Sequence, residues 1–385
     1  MECTGLWTRG DAKDYEDWAT LVGDRRWSWE GFLPYFRKTE HHHDPNVDPK
    51  LHGRNGPVHI ATVSFSGRKY PLKETVKAAW AALGVKEIPD VNCGDQIGMA
   101  EETENHTYGK RTIAAAAYPL DGVTILSDTL VRRVIVSQEK VATGAELTDG
   151  RMFSAKREVI VSSGSIRTPQ ILMLSGIGPA KELSHHGIKQ IVDSPEVGRN
   201  LWDHLGSFQA WKLRHPEIGA AFGTTKWTDP SFKNGNPIDW WINQSVPTEG
   251  LKAAMSLDSP GTVINNSHPL LRSPRSHLGM LVYYIGSTDG TVITTIGLNH
   301  LPTTRGTITL ASVDPADEPF IDHNYLDTEA DRYRHRVIIR MIRKLMETPA
   351  GQEMVTEEVV PEGLKPITTT STDEQIDARV RQATL

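Results

Sequence analysis

The chain has 385 residues, a hydrophobic fraction of 38%, a charged fraction of 23% and a net charge of -6. It is long enough for a large core and more than one domain. The acidic balance, with no basic stripe interleaved with aromatics, excludes a general nucleic-acid binder.

The N-terminus "MECTGLWTRGDAKDYEDW" carries no apolar signal region, so the chain as written reads as cytoplasmic by default. No apolar run approaches the roughly 18 residues of a membrane span. Cys3 and Cys93 allow one bridge but no disulfide framework. Residues 14–40 predict short helices whose aromatics, Trp18, Trp27, Trp29, Phe32, Tyr35 and Phe36, are spaced to pack together in a core. His41-His42-His43 follows as a surface-like run, read as a solvated loop because no Cys or Asp cluster stands at metal-ligand spacing. No metal site is expected. Asn55-Gly56 in "HGRNGPVHIA" predicts a turn into a short strand. "YPLKETVKAAWAALGV" predicts a helix with Leu72, Val76, Ala79 and Leu83 on one face and Gly84 as its stop.

From about Lys110 the texture changes to β-branched segments between polar turns. The stretch "VIVSSGSIRTPQILMLSGIG" predicts a buried strand, Val159-Ile160-Val161, a tight Ser/Gly turn, and a short apolar helix capped by Thr168-Pro169 and closed by Gly176. A strand-to-helix turn of Gly and Ser offers free N–H groups and close approach, which suits a phosphate or a flat cofactor. His185-His186 stands at a helix end, where a cation suits the dipole. Downstream, "HLGMLVYYIG", "TVITTIGLNHL" and "RGTITLAS" predict strands of one broad sheet. "DTEADRYRHRVIIRMIRKLMET" predicts a helix, acidic at its start and basic towards its end, and "TDEQIDARVRQATL" a closing helix.

"GSIRTPQILMLSGIG" resembles the second signature of the glucose–methanol–choline (GMC) oxidoreductases, flavoenzymes that oxidise alcohols or sugars with FAD; glucose oxidase and aryl-alcohol oxidase belong to that family. "LWTRGDAKDYEDW", "HGRNGPVHI", "VNCGDQIGMAEETENHTYGKRTIAAAAYP", "ILSDTLVRRVIV" and "EVGRNLWDHLG" resemble further family segments in the family's order. The resemblance implies an α/β (α+β) chain: an incomplete flavin domain plus a substrate domain with a large, mainly antiparallel sheet and flanking helices. It divides the chain into a flavin-covering and lid region (1–109), the remainder of the FAD-binding domain (110–205) and a substrate-binding domain (206–385). It implies FAD as cofactor, with Val131 at the adenine, Gly164 and Ser165 beside the cofactor, and Gly5, Leu6 and Trp7 near the isoalloxazine. A small-molecule alcohol or metabolite is the implied substrate, with no nucleic acid or membrane as partner.

Two family features are not in this sequence: the G-x-G-x-x-G turn that seats the FAD pyrophosphate, and the His-x-x-Gly-Thr segment that carries the catalytic base. Without the first strand of a doubly wound sheet, neighbouring strand edges and faces lose their cover, so the flavin site is expected to be weakened. The candidate catalytic histidines that remain are His300, after a strand, and His323, in "PFIDHNYL"; His204 is read as structural. No G-x-S-x-G elbow or P-loop is found, which lowers hydrolase and nucleotidase readings. The sequence leaves two alternatives to a truncated FAD-dependent alcohol oxidoreductase. One is a flavin-independent isomerase, dehydratase or cyclase using the same cavity. The other is a non-catalytic module that pairs through a sheet edge.

Overall fold

The computed structural model describes residues 5–383, so Cys3 lies outside them; Cys93 is a free thiol. The chain forms two compact units. The first combines the stretch ending at Leu120 with His204–Leu301 and the stretch beginning at Thr328; the second combines Asp121–Asp203 with Pro302–Asp327.

The first unit is organised on a six-stranded sheet. Its strands in chain order are β1 (Gly98–Glu101), β2 (Gly206–Leu213), β3 (Trp240–Gln244), β4 (Leu278–Tyr283), β5 (Val292–Asn299) and β6 (Val355–Val359). They lie in the order β6-β2-β5-β4-β3-β1, and every pairing is antiparallel. Period-two alternation gives the sheet two faces. On β2, Ser207, Gln209, Trp211 and Leu213 are buried while Phe208 and Lys212 are exposed. On β5, Ile293, Thr295, Gly297 and Asn299 are buried, and Thr294, Ile296 and Leu298 only half-buried.

The buried face is covered by helices whose apolar residues recur at helical spacing. Glu329–Glu347 contributes Ile338, Ile342 and Leu345, Lys73–Ala82 contributes Val76, Ala79 and Trp80, and Thr248–Asp258 contributes Leu251, Ala254 and Met255; all join one core with Ile242, Met280 and Ile293. Trp211 buries its indole in this face because Nε1 donates to Thr295 Oγ1 at 2.9 Å. The helix Glu329–Glu347 starts as its charge pattern requires: Thr328 accepts from the Asp331 N–H, and Glu329 and Asp331 occupy the first turn. Gly84 ends the helix Lys73–Ala82 with φ +80°.

The aromatic helices form as expected, Ala12–Val22 and Trp29–Thr39, but their cluster is not a core. Trp18 stands 5.3 Å from Trp27 and 6.2 Å from Phe32, yet Trp18 is 48% and Tyr35 66% exposed, and Tyr15 rather than Tyr35 lies among the rings. Each helix has only one apolar side against the body, so the remaining rings shelter one another on the surface. The His41–His43 run is also not a loop. Glu40–His42 is a strand paired in parallel with Val58–Thr62, which buries His42 and Glu40. Beneath it, Arg9 pairs with Glu40, and His52 bridges Glu40 at 3.3 Å and Asp90 at 2.7 Å.

The second unit contains a three-stranded antiparallel meander, Val131–Val136, Ala142–Leu147 and Met152–Ser154. "RGTITLAS" does not join the large sheet: Thr307–Thr309 pairs with Phe320–Asp322 in a separate ribbon of this unit. Its alternating pattern specifies a strand but says nothing about its neighbour. Val159–Val161 is not a strand either, and Ile160 is 76% exposed. Among the described residues no ladder reaches it, and a β-branched run without a partner has no hydrogen bonds to hold it extended. The helix that follows is Gly164–Leu174, five residues earlier than Thr168 would set it, so Pro169 sits inside it and Thr168 is not its cap. Gly176, with φ +79°, follows its end as expected.

Candidate functional site

The face of the large sheet turned away from the helices carries a strip of apolar side chains. Phe208 on β2 pairs with Ile296 on β5, Leu298 follows two residues on, and Tyr283 and Leu281 continue the face on β4. Next to them Ala100, Trp241, Leu281, Ile238 and Val91 form a small cluster into which Leu6 and Tyr283 pack. The strip presents aromatic and aliphatic groups with few polar atoms.

Polar groups converge at one end of the strip. Trp241 Nε1 and Ser276 Oγ both donate to Asn243 Oδ1, at 3.0 and 2.8 Å. Since the Ser276 hydroxyl proton is used there, the 3.3 Å contact to His300 runs the other way: His300 Nδ1–H donates to Ser276 Oγ, and Nε2 keeps its lone pair. The ring stacks on Trp241 at 6.0 Å and 3°, and His204 lies 5.3 Å away. Burial first, and then the charge of His204, push the His300 imidazole down to about 3. Gly279 on β4 makes this placement possible, because a Cβ there would strike the His300 ring and stand 2.8 Å from Trp241 Cζ2. Sequence reading found His300 but not Trp241, Asn243 or Ser276. The alternation of "DWWINQ" could have placed Trp241 and Asn243 on one face; nothing local marks Ser276.

The remaining candidates fall in separate units. His323 belongs to the second unit, where it stacks on Tyr325 at 4.8 Å, and Tyr325 OH donates to Asp203 at 3.2 Å. Gly5, Leu6 and Trp7 belong to the first. Trp7 N–H donates to Thr103 O at 2.7 Å and Asn105 N–H to Gly5 O at 2.9 Å, so this segment lies along 103–105. Gly5 has φ +93° and faces His106, whose ring fills the place of a Cβ. Beside it Asn105 Oδ1, His106 Nδ1 and Thr107 Oγ1 are buried without partners. Val131, Gly164 and Ser165 belong to the second unit. Val131 lines a cavity of about 540 Å³ with Leu130, Ser163 and the helix residues Arg167 and Gln170. The helix start Ser163–Ser165 is exposed, Ser163 makes no capping bond, and the space beside Gly164 is open.

These features fit parts of FAD. A cavity beside an uncapped helix start suits a ring and an anionic group. Unpartnered buried polar atoms along Gly5–Trp7 suit a flat, polar-edged ring system, since each costs about 1–3 kcal/mol if left unmade. Among the described residues no group of three or more His, Cys, Asp or Glu could hold a metal, and no helix is long and apolar enough to cross a membrane.

Residues 4–206 and 302–385 match the N- and C-terminal GMC oxidoreductase family models. The chain is 39% identical, over 98% of its length and 70% of that protein, to the GMC-type oxidoreductase acuG of Aspergillus aculeatus. It is 31% identical, over 98% of its length and 67% of that protein, to an oxygen-dependent choline dehydrogenase of Rhizobium etli. Across such relatives it spans 65–70% of their length. Among solved structures it is similar in fold to formate oxidase (TM-score 0.83, 24% identity, 98% of this chain and 70% of that one). It is likewise similar to a fungal aryl-alcohol oxidase (TM-score 0.80, 23% identity, 98% and 73%). The chain belongs to the GMC oxidoreductase family, whose members are FAD-dependent enzymes.

Proposed function

We propose that this chain oxidises the alcohol group of a small organic molecule with an apolar body, held on the open face of the large sheet, in partnership with FAD. The observation that carries the reading is the apolar strip Phe208, Ile296, Leu298 and Tyr283 ending at a fixed, neutral imidazole, His300. Relatives named as choline dehydrogenase and solved structures named as aryl-alcohol oxidase and pyridoxine 4-oxidase support an alcohol as the reacting group.

FAD, when bound, supplies the acceptor for the hydride that leaves the alcohol carbon. The strip removes water from the substrate body and aligns it, which is where positioning lowers the barrier. Asn243 and Ser276 fix the His300 tautomer, so Nε2 is an acceptor for a substrate hydroxyl. An imidazole held at about 3 is too weak a base to keep the hydroxyl proton near neutral pH, so His300 positions the hydroxyl through Nε2 and the proton is released to bulk water as the hydride leaves. Gly5, Leu6 and Trp7 in the first unit, and Val131, Gly164 and Ser165 in the second, are the residues that would hold the cofactor. In this reading the second unit belongs to the FAD-binding domain and the sheet-bearing unit to the substrate domain.

The test is anaerobic titration of the FAD-reconstituted chain with choline, with benzyl-type alcohols and with short aliphatic alcohols. Bleaching of the flavin by an alcohol with an apolar body supports the reading. Flavin that dithionite bleaches but no alcohol does would sink it.

A further inference from the structure

The parallel ribbon of Glu40–His42 and Val58–Thr62 sets His41 opposite His59, and His43 stands two residues after His41. Period two therefore puts three imidazoles on one side, while His42 turns inward and is buried. The rings stack with centroids 4.5 Å apart for His41–His43 and 5.0 Å for His41–His59 and His43–His59. His59 is exposed and the other two half-buried. Inside this stack His43 Nε2 and His59 Nδ1 approach to 2.7 Å.

That distance makes a hydrogen bond between one N–H and one lone pair. It is also close to the spacing of two nitrogens on one metal ion: bonds of about 2.0–2.1 Å meeting at 90–110° separate them by about 3 Å. We propose that His43 and His59 form a two-imidazole chelate on the protein surface for a borderline transition-metal ion such as Ni2+, Cu2+ or Zn2+. Imidazole is the ligand these ions share. The two nitrogens face each other nearly head-on, so each ring swings by roughly 40° about its side-chain bonds, and one ring changes tautomer, its proton moving to the other nitrogen, to turn both lone pairs to one ion. Because no three donor side chains among the described residues converge on a point, water fills the remaining positions. His41 buttresses both rings, and Phe65 and Tyr108 pack on His43 at 5.9 and 5.6 Å, which limits the freedom lost on binding.

The site is independent of the alcohol-oxidising reading. It is tested on the full chain without an affinity tag, by calorimetric titration with NiCl2. One Ni2+ per chain is expected, bound about tenfold or more weakly by His43→Ala and by His59→Ala. The buttress variant His41→Ala should lose less, and His215→Ala, remote on the surface, nothing. Should His43→Ala misfold by circular dichroism, His59→Gln at the exposed position carries the test. No saturable Ni2+ binding, or binding unchanged in the His59 variants, overturns the proposal.

Discussion

Asp239, one residue before β3, is 1% exposed. Tyr284 OH donates to its Oδ2 at 2.7 Å, while Oδ1 has no partner. Burial raises its pKa to about 7 from 3.8, against the opposing hydrogen bond from Tyr284 and the charge of Lys73. The folded protein therefore holds a proton that the unfolded chain releases above about pH 4. A raised folded value means that the contribution is complete below the unfolded pKa and is lost as pH rises through the folded one. Across that interval of ~3 pH units the loss is about 1.4 kcal/mol per unit, ~4 kcal/mol in all. Asp239→Asn removes the titration and keeps an oxygen for the Tyr284 hydroxyl. In urea unfolding followed by circular dichroism, the stability of Asp239→Asn relative to the parent should rise by several kcal/mol between about pH 4 and about pH 8. Glu102 and Asp14, whose carboxyls burial also raises, titrate in both proteins and cancel in the difference. Parallel pH profiles for the two proteins would refute the reasoning.

Ile338→Ala, at a fully buried position where the helix Glu329–Glu347 meets β5, should cost about 2–5 kcal/mol in the same assay; a loss below about 1 kcal/mol would contradict the core described. Gly279→Ala should cost about 1–3 kcal/mol and change the near-ultraviolet circular dichroism of Trp241, because the new methyl displaces the His300 ring; an unchanged melting temperature would count against that packing. Phe208→Ser, at a side chain 45% exposed, should leave stability within about 0.5 kcal/mol yet raise KM for an alcohol with an apolar body; an unaltered KM would remove Phe208 from the substrate strip.

Elements whose signals are complete within themselves were legible in the sequence. The helix Lys73–Ala82 announced its apolar face and its Gly84 stop, and Glu329–Glu347 its charge gradient. The failures came where structure depends on a partner. Val159–Val161 has strand composition but no ladder, and Thr307–Thr309 has a strand pattern that fits either of two sheets. Thr168-Pro169 looked like a helix start because both residues suit one, yet the Ser163-Gly164 turn starts the helix earlier. In the candidate site, His300 was visible as a histidine closing a strand. Its tautomer was not, because Asn243 and Ser276 lie 57 and 24 positions away and meet it only through sheet register. The His41–His43–His59 stack was hidden for the same reason: only a parallel pairing brings His59 beside a run that alone reads as loop.

The central proposal, that this chain binds FAD and that Gly5, Leu6 and Trp7 help to hold it, is tested most directly by adding FAD to the purified protein and passing it through gel filtration. The expected result is a yellow protein retaining one FAD per chain, with visible bands shifted from those of free FAD and weakened retention in Gly5→Val. A folded, colourless protein that returns all its FAD would contradict the claim.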